Sequence, residues 1–291
     1  MLEIIGLIVA LAGVAYSSYT DIKTGDVPDK LSHSMIGIGA ILVAFSYPMA
    51  EAVWIFAMAA AVFALGFIMY IFGQMGGGDV KLFAALTLLI PYYPISLQPF
   101  LASIGITPHP STFPFIVSIF ILSGIFFMAI IPIFYLRKII GKKEKIPDFR
   151  KKILIGIVYC IVISPVIAMW FTLSKFLAII FIPMFFALMI IPFKDDIVVL
   201  FFARKKKVKD LNEEDVLALE MLKKETIAKL GLWRKTFTEM ELKKIRQRAR
   251  KYRITTVYVC EDLPKYVPYI LASLIVNLII GDFFLFFLAL S

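Results

Sequence analysis

The sequence predicts an all-α polytopic membrane protein of about eight transmembrane helices, with a small α/β cytoplasmic domain. Three observations carry this. Of 291 residues, 60% are hydrophobic and only 18% are charged, whereas soluble domains are about 45–50% apolar. The apolar residues fall in long continuous runs, not in the short alternating segments of a membrane β-barrel. The charged residues are segregated between those runs. The composition excludes a single water-soluble globule, and it excludes a disordered chain, which needs low hydrophobicity.

The runs lie near Leu2–Thr20, His33–Ala50, Ala52–Phe72, Val80–Pro94, Phe113–Leu136, Ile153–Thr172, Phe176–Phe193 and Tyr266–Leu290. Val80–Pro94 is the short one. Connecting segments alternate between two sides of the membrane. One side receives 21–32, 73–81, 137–152 and 194–265, and with them 30 of the 31 Lys and Arg. The other side receives only Lys175. The positive-inside rule makes the first side cytoplasmic, and an even number of crossings then leaves both termini outside. The first run lacks the basic start and small-residue cleavage site of a signal peptide.

Four regions follow: a membrane domain over 1–136, a basic loop and additional transmembrane hairpin over 137–193, a cytoplasmic domain over 194–265, and a final transmembrane helix over 266–291. The cytoplasmic block of about 70 residues carries a net charge of +7. Asn212 ahead of Glu213, Glu214 and Asp215 reads as a helix start, with acids where the helix dipole favours them. That helix is expected to run to about Leu230 and to stop at Gly231. Thr238 and Glu241 form a T-x-x-E capping box for a second helix, and Arg253–Val259 reads as a strand. The segment 95–112 is an outside loop, and its apolar part is expected to lie in the interface or dip back into the bilayer.

Acidic residues at membrane depth are costly and mark function. Asp21 ends the first run in YSSYTDIKTGDVPD, and Asp79 follows three glycines in GQMGGGDVKLF. Both fall at the cytoplasmic ends of their spans, 58 residues apart. Two carboxylates at close range share one proton near neutral pH. One then activates water, and the other hydrogen-bonds a scissile carbonyl and protonates the leaving amine. Gly76, Gly77 and Gly78 free the backbone and leave room beside Asp79 for an extended peptide. A plainer reading makes Asp79 the N-cap of the fourth span and Asp21 an interfacial charge.

These residues carry a family resemblance. The G-x-G-D stretch at Gly76–Asp79 resembles the signature of the GxGD intramembrane aspartyl proteases. Asp21-Ile-Lys-Thr-Gly-Asp-Val-Pro resembles the D-x-[KR]-x-x-x-[IV]-P stretch of type IV prepilin peptidases and archaeal preflagellin peptidases. The YD motif of presenilin-like relatives is absent. Leu263-Pro-Lys-Tyr-Val-Pro-Tyr-Ile resembles the proline-containing start of the family's final helix. The segments Ser111–Pro132 and Ile280–Asp282 resemble the archaeal preflagellin branch. The likeness covers about 2–136 well and 257–290 less fully.

The resemblance implies a six-helix protease core, to which Ile153–Phe193 adds a hairpin. It implies Asp21 and Asp79 as the catalytic pair, and Gly76, Gly77, Gly78 and Pro268 as contacts for the substrate. It also implies the substrates: archaellin or type IV prepilin-like precursors, cut behind a short basic leader. Asp26, Asp29, Asp195 and Asp196 are candidates to attract that leader. The paired CxxC motifs of many bacterial members, and the methyl transfer that accompanies them, are not expected here.

Cys160 and Cys260 are far apart, and with His33 and His109 they suggest no metal centre. No cofactor is expected. The basic runs Arg204–Lys209 and Lys243–Arg253 suggest membrane lipid headgroups as partners and no nucleic acid. The competing function is an ion- or proton-coupled transporter built on the same carboxylates.

Overall fold

A computed structural model describes residues 2–110, 113–173, 175–212, 215–232, 237–261 and 263–282. Helices α1 (Leu2–Thr24), α2 (Asp29–Ser46), α3 (Met49–Ile71) and α4 (Gly77–Leu89) come first. A short α5 (Gln98–Ser103) lies in the next loop. It is followed by α6 (Phe115–Gly141), α7 (Phe149–Leu173), α8 (Lys175–Ile190) and the short α9 (Lys194–Ile197). Each of the first seven apolar runs thus holds a helix. The eighth holds one over its described part and continues past Asp282, outside the described residues.

The helices Leu2–Thr24, Met49–Ile71, Phe115–Gly141 and Phe149–Met169 are long and apolar enough to cross a membrane. Only 11–39% of their most apolar stretches is buried inside the protein, so most of their apolar surface faces outward, as lipid contact requires. The chain thus reads as a multi-pass membrane protein.

Helix α4 is the centre of the bundle. From Leu82 to Leu89 every residue is buried, because its sequence is apolar on all sides. Its 13 residues span about 20 Å, less than a bilayer core. It packs on α2 and α3 and also touches α1 and α6. Close approach is permitted where side chains vanish: a Cβ on Gly6 of α1 would strike the Leu89 carbonyl of α4. On the far side of the bundle, Tyr93 donates its hydroxyl to the Leu278 carbonyl at 2.9 Å. The His109 amide donates to the Ile280 carbonyl at 2.9 Å. The loop after α4 is thereby tied to the end of the last helix.

The hairpin α7–α8 packs on α6. At the other end of α6, Tyr135 and Ile139 join Phe193, Ile197 and Phe202 in a separate apolar cluster. The Lys138 ammonium lies 4.2 Å from the Phe134 ring centroid, and that of Lys142 4.4 Å from Phe201. The first cation–π contact lies within α6, and the second joins the bundle to the polar block that follows.

That block is a three-stranded antiparallel sheet, β1 (Ala203–Lys207), β2 (Val216–Leu217) and β3 (Thr256–Cys260), in the order β1–β3–β2. Helices α10 (Lys224–Leu230) and α11 (Glu239–Lys251) cover it. The expected capping box is present: Glu241 accepts the Thr238 amide at 2.9 Å. The expected stop at Gly231 is also present, in the left-handed region with φ 68°. The expected helix from Asn212 is not. Glu213 and Glu214 lie outside the described residues, and beyond them Val216 and Leu217 pair with Cys260 and Val259. Asp215 turns back to accept the Asn212 amide at 2.7 Å and pairs with Lys206. Burial of Leu217 against β3 outweighs local helix propensity here. The chain then enters the last described helix, α12 (Val267–Ile280), which packs on α1 and α6.

Candidate active site

The two aspartate motifs meet at one end of the bundle. Asp21 sits in the last turn of α1, which closes at Gly25 (φ 87°) with the Gly25 amide on the Asp21 carbonyl at 3.0 Å. Val27 and Pro28 then turn the chain, and Pro28 caps α2. Asp79 is the third residue of α4, so the cap is Gly76 and not Asp79 itself. The Gly76 amide donates to Asp79 Oδ2 at 3.2 Å. This fixes the carboxylate over the first turn of its own helix.

The glycines of the second motif have different surroundings. A Cβ on Gly78 would stand 2.7 Å from Val27 Cβ, so Gly78 lets the two motifs touch. A Cβ on Gly77 would meet the Tyr70 ring at 3.5 Å, an ordinary contact. Gly76 is exposed, and a side chain there would crowd the Asp79 carboxylate at 3.0 Å. Of the three, Gly76 leaves the approach to Asp79 open.

Asp21 is only 6% exposed, and Asp79 is half-buried. The charge of Asp21 bears on Asp79, and the close approach of Val27 to Gly78 sets their two motifs side by side. Asp21 does not rely on its own helix for partners. Its Oδ2 accepts the Val267 amide at 3.2 Å, and the Tyr266 amide also points to it. These donors are the first free N–H groups of α12. Pro268, half-buried in the same turn, brings no N–H and suits a helix start. The Lys265 side chain reaches over Gly25 toward Asp21. The last helix thus takes part in the site through its backbone. Sequence reasoning singled out Pro268 but missed the adjacent amides, which no side-chain pattern announces.

The other acids singled out in the sequence are partly engaged. Lys81 pairs with Asp29 at 2.5 Å across the two motifs, and Lys152 pairs with Asp196 at 2.5 Å. Asp26 and Asp195 are exposed. Among the described residues, no group of three His, Cys, Asp or Glu is placed to hold a metal ion. A buried carboxylate, a second one beside it and an open glycine approach can perform general acid–base chemistry on a bound amide.

Residues 8–133 match the type IV leader peptidase family. Over 98 residues the chain is 39% identical to Prepilin peptidase EppA of Methanothermobacter thermautotrophicus, covering 32% of this chain and 26% of that protein. Over 147 residues it is 32% identical to Preflagellin peptidase of Methanocaldococcus jannaschii, covering 48% of this chain and 61% of that protein. The chain therefore spans only part of the length of these relatives. No solved structure matches it. The matched stretch contains both aspartate motifs, the glycines and the contact between Val27 and Gly78, and over it the chain carries the sequence pattern of the type IV leader peptidases.

Proposed function

We propose that this protein is a membrane aspartyl endopeptidase, which removes the short basic leader of archaellin or type IV prepilin-like precursors at the cytoplasmic membrane face. The observation that carries the reading is the meeting of the Asp21 and Asp79 motifs at one end of the bundle, within a stretch that matches the leader peptidases.

The proposed reaction follows from the two carboxylates. One takes a proton from water as the water oxygen attacks the scissile carbonyl carbon. The other hydrogen-bonds the carbonyl oxygen. Collapse of the tetrahedral intermediate breaks the C–N bond, and a carboxyl proton passes to the leaving amine. No covalent intermediate forms. Asp21 and Asp79 are the catalytic pair, and Gly76, with Gly77, Gly78 and Pro268 around it, borders the path of the peptide.

The topology supports the substrate class. Eight crossings put 30 of 31 Lys and Arg on one side, which the positive-inside rule makes cytoplasmic. The block 194–265 and the site then share that side, and both termini lie outside. A basic leader followed by an apolar helix stays on the same side, so its junction arrives at the site. Anionic headgroups suit the basic runs.

Transport is the weaker reading. Transporters place their carboxylates near the midplane on broken helices. Here both aspartates lie in terminal turns, and the relatives are named as peptidases. The test is co-expression with a candidate precursor in membranes, following the loss of the leader by mass. Cleavage supports the endopeptidase. Absence of cleavage across a broad precursor panel, together with pH-dependent ion flux, would favour transport.

A further inference from the structure

We infer that Tyr266 and Ser123 form a positioning couple that holds the Asp21 carboxylate in place beside Asp79. The inference rests on the endopeptidase reading and deepens it. Tyr266 immediately precedes α12, and three helices converge on it. Its own amide and that of Val267 point to Asp21 on α1. Its ring meets Phe83 of α4 at 6.2 Å and Phe127 of α6 at 5.3 Å. Its hydroxyl oxygen lies 2.8 Å from Ser123 Oγ on α6. Asp79 is near enough to the phenol to act on it electrostatically.

Proton accounting orients the couple. Ser123 has one hydroxyl proton, and it donates that proton to the Phe120 carbonyl at 2.8 Å. With that donation made, Ser123 accepts from Tyr266 at 2.8 Å, and the single phenol proton is committed. The phenol is an anchor in this arrangement and not a proton donor to substrate. Spacing explains how the anchor is built. Ser123 and Phe127 are four residues apart on α6, and Asp79 and Phe83 are four apart on α4, so each pair shares a helix face. Ser123 is fully buried in a largely apolar helix, where an interhelical partner offsets the cost of its hydroxyl.

Displacing the Tyr266 side chain would move the two amides that Asp21 depends on. Misplacement of a catalytic group lowers turnover more than binding. Tyr266→Phe keeps both ring contacts and loses only the anchor. Ser123→Ala loses the same hydrogen bond from the other side.

The full chain, in detergent with an archaellin or prepilin precursor, supplies the test. Each variant is expected to lower kcat about fivefold, with KM within about twofold. The double variant is expected to be no worse than the poorer single, because both remove one bond. Hydrogen exchange by mass spectrometry is expected to speed up, in both variants, for the peptide containing Val267. Unchanged kcat in both variants, a multiplied loss in the double, or unchanged exchange would overturn the couple. If the wild-type chain cleaves no precursor, the endopeptidase reading fails. The exchange measurement then still decides whether Tyr266 and Ser123 hold the start of α12.

Discussion

Val267 donates its backbone N–H to the Asp21 carboxylate at 3.2 Å, joining the first helix of the protein to the last across 246 positions of sequence. The first aspartate is therefore set by a helix start that folds onto it. Asp79 is set by its own helix start, through the Gly76 amide. Two helix N-termini thus converge on two carboxylates, and each accounts for a different class of mutational effect.

Gly78 is expected to be intolerant of substitution. A Cβ there would stand 2.7 Å from Val27, and overpacking of this kind costs about 1–3 kcal/mol. Gly78→Ala should lower the initial cleavage rate at least about tenfold, by separating the motifs. Val27→Ala in the same chain should restore part of it. Gly37→Ala, where a new methyl meets nothing within 4 Å, should be neutral or slightly stabilising. Equal effects of Gly78→Ala and Gly37→Ala would deny the contact its role.

The acids around the site should separate into two kinds. Asp29 and Asp196 are paired with Lys81 and Lys152, and so have little to offer a basic leader. Asp26→Asn combined with Asp195→Asn should raise KM for basic leaders, with the effect fading at high salt. Asp29→Asn should stay within about fivefold of wild type, because an exposed ion pair contributes at most about 1 kcal/mol. Steady-state kinetics at two ionic strengths would show the split. A larger KM effect from Asp29→Asn than from Asp26→Asn would refute it.

Thr238→Ala should loosen the polar block without touching the site. The Thr238 amide and hydroxyl both donate to Glu241 Oε2 at 2.9 Å, and loss of such a cap costs about 1 kcal/mol. Faster hydrogen exchange confined to α11, with kcat unchanged, is the expected result. A fall in kcat would mean that the block governs turnover.

How much of this was legible in the sequence depends on the distance over which each feature is determined. Helices in all eight apolar runs were readable, because each run needs only its own residues. So were the Thr238–Glu241 cap and the stop at Gly231. Strand β2 was not. Asn212 and three following acids read as a helix start, and only Val259 and Cys260, more than 40 positions later, turn Val216 and Leu217 into a strand. Strand β1 was hidden for another reason. Its ARKKK sequence looks like a solvated charge run, yet it pairs along its whole length with β3. At the site, the two aspartates were legible as carboxylates at membrane depth. The amides of Tyr266 and Val267 were not, since any residue type carries one. Nor could the sequence distinguish Gly78, which packs on Val27, from Gly76, which leaves Asp79 open.

The most direct measurement is leader cleavage in membranes by wild type, Asp21→Asn and Asp79→Asn, co-expressed with a candidate archaellin or prepilin precursor and read by mass. Cleavage by wild type, and loss of at least about a thousandfold in either variant, is the expected result. Cleavage that survives in Asp21→Asn or Asp79→Asn, with the variant folded in the membrane, would contradict a shared dyad and move the chemistry to another acid, Asp26 first.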